Sequence, residues 1–204
     1  MTHELTWHVK AMTSYGWLIF ALWFTLVAYW ALAARAMRRS TGSRWIWWRE
    51  IAVRLGLFAL VVLVLQVAVI GHALPNARSF ALSTTSMSMG RIGFLLALLG
   101  IGLAILGRDH LSRDRATPWS NETDPGLVTS GPYALVRHPI YGGMLLAMLG
   151  SAIGQSVLWL LPLIVYGPYF IRSARHEEAH LLERFPERYR DYMKRTKMLL
   201  PFLV

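Results

Sequence analysis

Residues 15–34 read YGWLIFALWFTLVAYWALAA, and none of these 20 residues is charged. At a rise of about 1.5 Å per residue, a helix of this length crosses the roughly 30 Å hydrocarbon core of a lipid bilayer. A helix on the surface of a soluble protein carries a charged face, which this stretch lacks. The stretch therefore predicts a membrane-spanning helix and an integral membrane fold.

The composition agrees with a membrane protein and excludes several other classes. Of the 204 residues, 55% are hydrophobic and 16% are charged, whereas soluble domains are roughly 25% charged. Disordered chains are poor in apolar residues, and disulfide-stapled folds need cysteines, of which this chain has none. The net charge of +10 also fits binding to nucleic acid, but the placement of the basic residues indicates membrane topology instead.

Four further apolar blocks follow along the chain, at residues 51–70, 92–106, 140–153 and 157–171. Only Gly154, Gln155 and Ser156 separate the last two blocks, which predicts a tight helical hairpin. These two blocks are short, so buried helices of a globular core are the alternative. The sequence thus predicts an all-α membrane protein of five transmembrane helices in a single domain. Residues 1–107 hold three spans, and residues 108–204 hold a loop, the hairpin and a tail.

Basic residues alternate between sparse and dense segments. Only Lys10 precedes the first block and the hairpin turn has no basic residue, whereas the first loop, the third loop and the tail are rich in Arg and Lys. Cytoplasmic segments carry the excess of positive charge in membrane proteins. The pattern predicts an outside amino terminus and a cytoplasmic tail with its own helix. Both large polar segments, and any active site built from them, then face the cytoplasm.

A polar segment precedes the fourth block. Gly131 and Pro132 predict a turn. Pro139 suits the first position of a helix, which puts Arg137 and His138 at its amino end. Unpaired N–H groups and the helix dipole attract anions there, and a guanidinium pairs with a carboxylate. The segment favours an anion such as an amino-acid carboxylate, and a plain membrane-interface anchor is the alternative.

Small residues recur at four-residue spacing on the fourth predicted helix, at Gly143, Ala147 and Ser151. Small side chains on one face let two helix backbones approach closely. We expect this face to pack against the fifth helix, and room for a flat ligand is the alternative.

Two adjacent carboxylates, Glu177 and Glu178, follow the fifth block and lie near the predicted membrane surface. Paired acids suit a cation, an amine or a ribose diol, and a solvated charged face is the alternative. Pro186 interrupts the helical spacing of the tail and predicts the start of a second short helix.

Residues 176–180 read HEEAH and match the zinc protease pattern H-E-x-x-H. His176 and His180 share a helix face at this spacing, and Glu177 would be the base. A third ligand is also required, for which Glu187 and Asp191 are candidates by their distance along the chain. A zinc membrane protease and a non-catalytic membrane scaffold therefore stay open as alternatives.

Four motifs follow one another in the carboxyl half. They are GPY at 131–133, RHPIYGG at 137–143, EEAHL at 177–181 and FPERYRDY at 185–192. Their order, their spacing and the hairpin between them resemble the isoprenylcysteine carboxyl methyltransferase family and the related membrane phospholipid N-methyltransferases, over roughly residues 106–203. The chain departs from the family pattern at Pro186, Ala134 and Ser173. Arg172 or Arg175 is the candidate substitute for an Arg found in some members at the position of Ser173.

The resemblance implies an integral membrane methyltransferase with S-adenosylmethionine as methyl donor and S-adenosylhomocysteine as product. Its implied donor-binding residues are Tyr133, Arg137, His138, Tyr141, Glu177 and Glu178, and its candidate catalytic residues are Glu178, Arg175 and His180. The implied partners are the lipid bilayer and a lipophilic or prenylated acceptor, with no metal and no nucleic acid. An isoprenylcysteine-type carboxylate is expected first, and a phospholipid amine or a small thiol stays open.

Overall fold

The computed structural model describes the backbone of residues 2–38, 86–116 and 127–199, and the side chains of residues 15–33, 86–112 and 127–199. These ranges contain five α-helices: α1 (Thr2–Arg38), α2 (Met87–Ala116), α3 (Pro139–Gly154), α4 (Leu160–Arg184) and α5 (Pro186–Arg195). Short 3-10 turns at Gly131–Ala134 and Val157–Trp159 precede α3 and α4. The predicted all-α fold is confirmed for these parts of the chain.

Three segments in the described ranges are long and apolar enough to cross a membrane: Tyr15–Ala33, Met87–Ser112 and Val157–Arg184. They contain or largely cover the first, third and fifth predicted blocks. Helix α3 contains the fourth block and has 16 residues, which is about 24 Å of helix. The predicted span at 51–70 lies outside the described residues, so five crossings stay a prediction.

The predicted turn between the last two blocks is confirmed. Helix α3 ends at Gly154, and the amide groups of Gln155 and Ser156 both donate to the carbonyl of Ser151, at 2.9 and 3.2 Å. The Ser156 hydroxyl then accepts from the Leu158 amide at 3.2 Å and caps the following 3-10 turn. Three residues are enough because the Ser151 carbonyl and the Ser156 hydroxyl accept the hydrogen bonds of the turn on either side.

The described residues form two compact units, one within residues 1–97 and 148–162 and the other within residues 98–147 and 163–204. In the first unit, a Cβ added to Gly150 would lie 2.5 Å from the Ala97 amide nitrogen, so α2 and α3 are in backbone contact. Trp23 of α1 donates from its indole to the Ser151 hydroxyl at 3.0 Å. The Trp23 ring also stacks on Trp159 at 5.1 Å between centroids.

In the second unit, α2 and α3 are again in backbone contact. A Cβ on Gly143 would lie 2.5 Å from the Gly100 carbonyl oxygen, and one on Gly100 would lie 2.5 Å from the Ala147 amide nitrogen. The prediction that the small residues of α3 pack against the fifth predicted span, which is α4, is therefore wrong. Gly143 and Ala147 contact α2, because α2 carries glycines at matching positions and two glycine-bearing faces allow the closest approach.

Helix α5 begins at Pro186, as predicted, and covers the core of the second unit. That core contains Leu127, Phe185, Tyr189 and Tyr192. The Arg and Lys side chains of α5 are exposed. A helix that buries two tyrosines and exposes its charges lies flat on the unit, which leaves its carboxyl end beside the polar segment before α3.

Candidate functional site

The segment before α3 is shaped by Gly131 and Pro132. Gly131 has a φ of 59°, a left-handed conformation that costs little only for glycine, and a Cβ there would contact His110. The turn that follows buries Tyr133, whose carbonyl accepts a hydrogen bond from the Tyr192 hydroxyl at 2.6 Å. This bond ties the segment to α5, and Arg137 follows four residues later, just before α3.

Arg137 makes a buried ion pair with Glu178 of α4. Its Nε donates to Glu178 Oε1 at 2.6 Å, and both side chains are 9% exposed. Its Nη1 donates to the carbonyl of Thr196 at 2.5 Å and lies 3.4 Å from that of Met193. From the sequence, we expected Arg137 to bind the carboxylate of a ligand and Glu178 to bind a different group of the same ligand. The structure shows that the two residues also bind each other.

His138 lies between two carboxylates. Its Nε2 is 3.1 Å from Glu178 Oε1, and its Nδ1 is 3.5 Å from Glu177 Oε2. Burial by itself would lower the pKa of His138, but hydrogen bonds to Glu177 and Glu178 and the charges of these carboxylates raise it further than burial lowers it. The raised pKa favours the protonated form of the His138 ring beside Glu178.

Three aromatic rings stack beside this cluster. The His138 ring stacks on Tyr141 with centroids 5.7 Å apart, and Tyr141 stacks on Phe170 of α4 at 5.1 Å. The Tyr141 hydroxyl donates to Glu177 Oε1 at 2.5 Å. The Glu177 side chain is 53% exposed, so the stack leads from a buried ring to a carboxylate at the surface.

Two tyrosines of α5 belong to the site, although sequence reasoning treated them only as part of a motif. Burial, reinforced by the charge of Glu178, raises the pKa of Tyr189. Burial also raises the pKa of Tyr192 to about 12, against the opposing charge of Arg137. The Tyr192 phenol donates its hydrogen bond to the Tyr133 carbonyl. The signal that pointed to them was the F-x-x-x-Y-x-x-Y spacing, with Tyr189 and Tyr192 on the buried face.

The other predicted catalytic residues lie outside the buried cluster. Arg175 and His180 are exposed on α4. His180 Nε2 is 3.2 Å from His176 Nε2, which confirms that the two histidines share a face. Asp191, a candidate third zinc ligand, instead pairs with Lys194 at 2.8 Å. In the part of the chain that the structure describes, no three His, Asp or Glu side chains come together as a metal site.

The tail after α5 contacts the same segment, which sequence reasoning missed. The Arg137 amide donates to the Lys197 carbonyl at 2.8 Å, and the His138 amide donates to the Met198 carbonyl at 3.0 Å. Both amides precede the first residue of α3, so their pairing fixes the approach to the helix and does not involve the amides of its first turn. Backbone pairing of this kind leaves no residue pattern, so the sequence offered no signal for it.

Known proteins match the part of the chain that contains the site. The phospholipid methyltransferase family profile (PEMT) matches residues 89–188. The chain is 38% identical over 114 residues to the cobalt-zinc-cadmium resistance protein CzcN of Cupriavidus metallidurans, covering 53% of this chain and 49% of CzcN. It is 37% identical over 79 residues to the protein-S-isoprenylcysteine O-methyltransferase of Schizosaccharomyces pombe, covering 38% of this chain and 34% of that enzyme.

It is also 39% identical over 74 residues to the methanethiol S-methyltransferase of Pseudomonas deceptionensis, covering 35% of this chain and 27% of that enzyme. The chain thus spans about half the length, or less, of these three relatives. No solved structure matches the chain significantly.

Apolar helices long enough to cross a membrane, together with these relatives, define the class as a membrane methyltransferase family. Residues 89–188 of the chain match the phospholipid methyltransferase family, and the chain is similar to protein-S-isoprenylcysteine O-methyltransferases. The resemblance drawn from its motifs is confirmed.

Proposed function

We propose that the protein is an integral membrane methyltransferase that transfers a methyl group from S-adenosylmethionine to a lipophilic acceptor. The observation that carries the proposal is the buried cluster of Arg137, His138 and Glu178 beside the half-exposed carboxylate of Glu177. All six proposed donor-binding residues, which include Tyr133 and Tyr141, fall inside the range that the family profile matches.

The side chains of the site fit the chemical groups of a sulfonium nucleotide. Such a molecule carries a sulfonium and an ammonium, a ribose diol, a purine and a carboxylate. Glu177 presents a carboxylate at the surface, which suits a cation or a diol. The rings of His138 and Tyr141 suit stacking with a purine, the neutral Tyr141 ring suits contact with a sulfonium, and Arg137 and His138 supply positive charge for the ligand carboxylate.

The chain then has mainly to position the reactants and exclude water. S-adenosylmethionine supplies a methyl group that is already activated on a sulfonium sulfur. Fixed orientation alone lowers a barrier by about 7–11 kcal/mol in favourable cases. Arg137, His138 and Glu178 are held by one another and are largely withdrawn from water, so they offer fixed charges at low local dielectric for binding the methyl donor.

The state of Glu178 favours an acceptor that needs no deprotonation. Its carboxylate is paired with the Arg137 guanidinium and lies within hydrogen-bond distance of His138, and a carboxylate held in this way is a weak base. A carboxylate acceptor requires no base, whereas a neutral amine or a thiol does. We therefore propose an isoprenylcysteine-type carboxylate first. Arg175, exposed on α4, is the proposed contact for it, and His180 is the proposed base if the acceptor is an amine or thiol.

The acceptor is tested by transfer of a radiolabelled methyl group with the detergent-purified chain. A prenylated cysteine, an amine-bearing phospholipid and a small thiol are offered separately. We expect label in the prenylated cysteine, released as methanol by mild alkali because a methyl ester is hydrolysed. Alkali-stable label in the phospholipid or thiol would replace the proposed acceptor. No transfer to any of the three, together with no binding of S-adenosylhomocysteine, would overturn the function.

A further inference from the structure

The chain segment 196–199 runs beside the segment that carries the two cationic site residues. Val136 and Lys197 form a parallel bridge. The amides of Arg137 and His138 donate to the carbonyls of Lys197 and Met198, at 2.8 and 3.0 Å. The backbone positions of both site residues are therefore fixed by the tail.

The same segment fixes the guanidinium of Arg137. Nη1 donates to the Thr196 carbonyl at 2.5 Å, while Nε is engaged by Glu178. Thr196 is buried, and its hydroxyl donates to the Tyr192 carbonyl at 2.8 Å, which holds it against the last turn of α5. Two acceptors on different elements thus leave the Arg137 side chain one orientation.

A glycine of α3 makes room for the segment. Leu199 is 7% exposed, and a Cβ added to Gly142 would overlap the Leu199 carbonyl oxygen. The obstacle is backbone, so the overlap cannot be relieved by a side-chain rotation. The absence of a side chain at Gly142 is therefore what lets the tail reach His138.

We propose that residues 196–199 form a positioning strap of the methyl-donor site, holding Arg137 and His138 in the orientation that binds the donor. The inference rests on the proposed function. It assigns a role to a segment that lies beyond residue 188, where the family match ends. The strap contributes to donor affinity by preorganisation, because an untethered arginine would lose conformational freedom on binding. It leaves acceptor binding and the chemical step unchanged.

The test compares Gly142→Ala with Gly167→Ala in the full-length chain. A Cβ on Gly167 meets nothing within 4 Å, so this control makes the same substitution in a helix without touching the strap. We expect Gly142→Ala to raise the Kd of S-adenosylhomocysteine and the KM of the donor at least about tenfold. The kcat at saturating donor and the acceptor KM stay within about threefold of the wild type.

A second pair of variants keeps the test valid if Gly142→Ala lowers the yield of folded protein. Leu199→Ala removes the buried anchor of the strap, and Leu161→Ala removes an exposed leucine of α4 as its control. Parallel loss of kcat and of affinity for both substrates would indicate a general structural role and overturn the inference.

Wild-type donor affinity in Gly142→Ala and Leu199→Ala would also overturn the inference while leaving the proposed function intact. Failure of the wild-type chain to bind S-adenosylhomocysteine would overturn the function and the strap together.

Discussion

Glu178 is the residue on which the charges of the site depend. Its Oε1 lies 2.6 Å from Arg137 Nε and 3.1 Å from His138 Nε2. Breaking a buried ion pair by removing one partner costs about 3–5 kcal/mol, because the other charge stays buried without compensation. The proposed donor site is therefore also a structural element of the unit, and binding must be measured separately from folding.

The raised pKa of His138 predicts a pH dependence of stability. The protonated ring is favoured in the folded chain, so its contribution is complete below the ordinary value of 6.5 and is lost as pH rises through the raised pKa. We expect His138→Gln to lower stability by about 1.5–3 kcal/mol at pH 6 and by less at pH 9. Thermal unfolding from pH 6 to 9 measures the difference in stability between the wild type and His138→Gln. A difference that grows as pH rises would contradict this prediction.

Tyr141 combines a ring stack with a hydrogen bond, and the two are separable. Tyr141→Phe removes the hydroxyl that donates to Glu177 but keeps the stack on Phe170. We expect S-adenosylhomocysteine affinity to fall about 2- to 10-fold, the equivalent of one hydrogen bond. Tyr141→Ala should lose more, because the ring is lost as well. Equal affinities in these two variants, measured by calorimetry, would argue against a role for the ring.

At the scale of elements, glycines set the distance between α2 and α3. A Cβ on Gly100 would lie 2.5 Å from backbone atoms of α3, whereas one on Gly102 meets nothing within 4 Å. We expect Gly100→Ala to destabilise the protein by about 1–3 kcal/mol, since neither backbone can give way locally. Gly102→Ala should be neutral or stabilising, because alanine is the better helix former. A lowered unfolding midpoint in Gly102→Ala alone would contradict this packing.

The helix ends and the spans were predictable because local chemistry decides them. Pro139 and Pro186 each begin a helix, and the apolar blocks among the described residues fall within helices. The partner of the small-residue face of α3 was not predictable. Gly143 and Ala147 indicate that another backbone comes close, but a one-dimensional pattern does not say which helix supplies it.

The sequence motifs named residues for the proposed donor site, but they did not predict which of these residues contact one another. Six residues could be named from their motifs, and five of them meet: Arg137, His138, Tyr141, Glu177 and Glu178. The pairing of Arg137 with Glu178 joins positions 41 residues apart. The carbonyls of the tail contact Arg137 through backbone atoms that every residue has. Such long-range and backbone contacts depend on the folded chain, so the residue types in the sequence do not predict them.

At the scale of the whole molecule, we propose an outside amino terminus and a cytoplasmic tail. The chain has no cysteine, so single cysteines report their own side of the membrane. We expect Lys10→Cys to react with a membrane-impermeant maleimide in intact cells, and Lys194→Cys to react only after permeabilisation. Labelling of both residues from the same side would mean an even number of crossings and would contradict the five-span topology.

The most direct test of the account is calorimetric titration of the detergent-purified chain with S-adenosylhomocysteine. We predict saturable binding at one site, weakened at least about tenfold in Glu178→Gln, which keeps the side-chain shape but removes the charge. Glu183→Gln, a change at an exposed acid of the same helix, should bind as the wild type does. No saturable heat from the wild-type chain, or equal affinity in the two variants, would contradict a methyl-donor site built around Glu178.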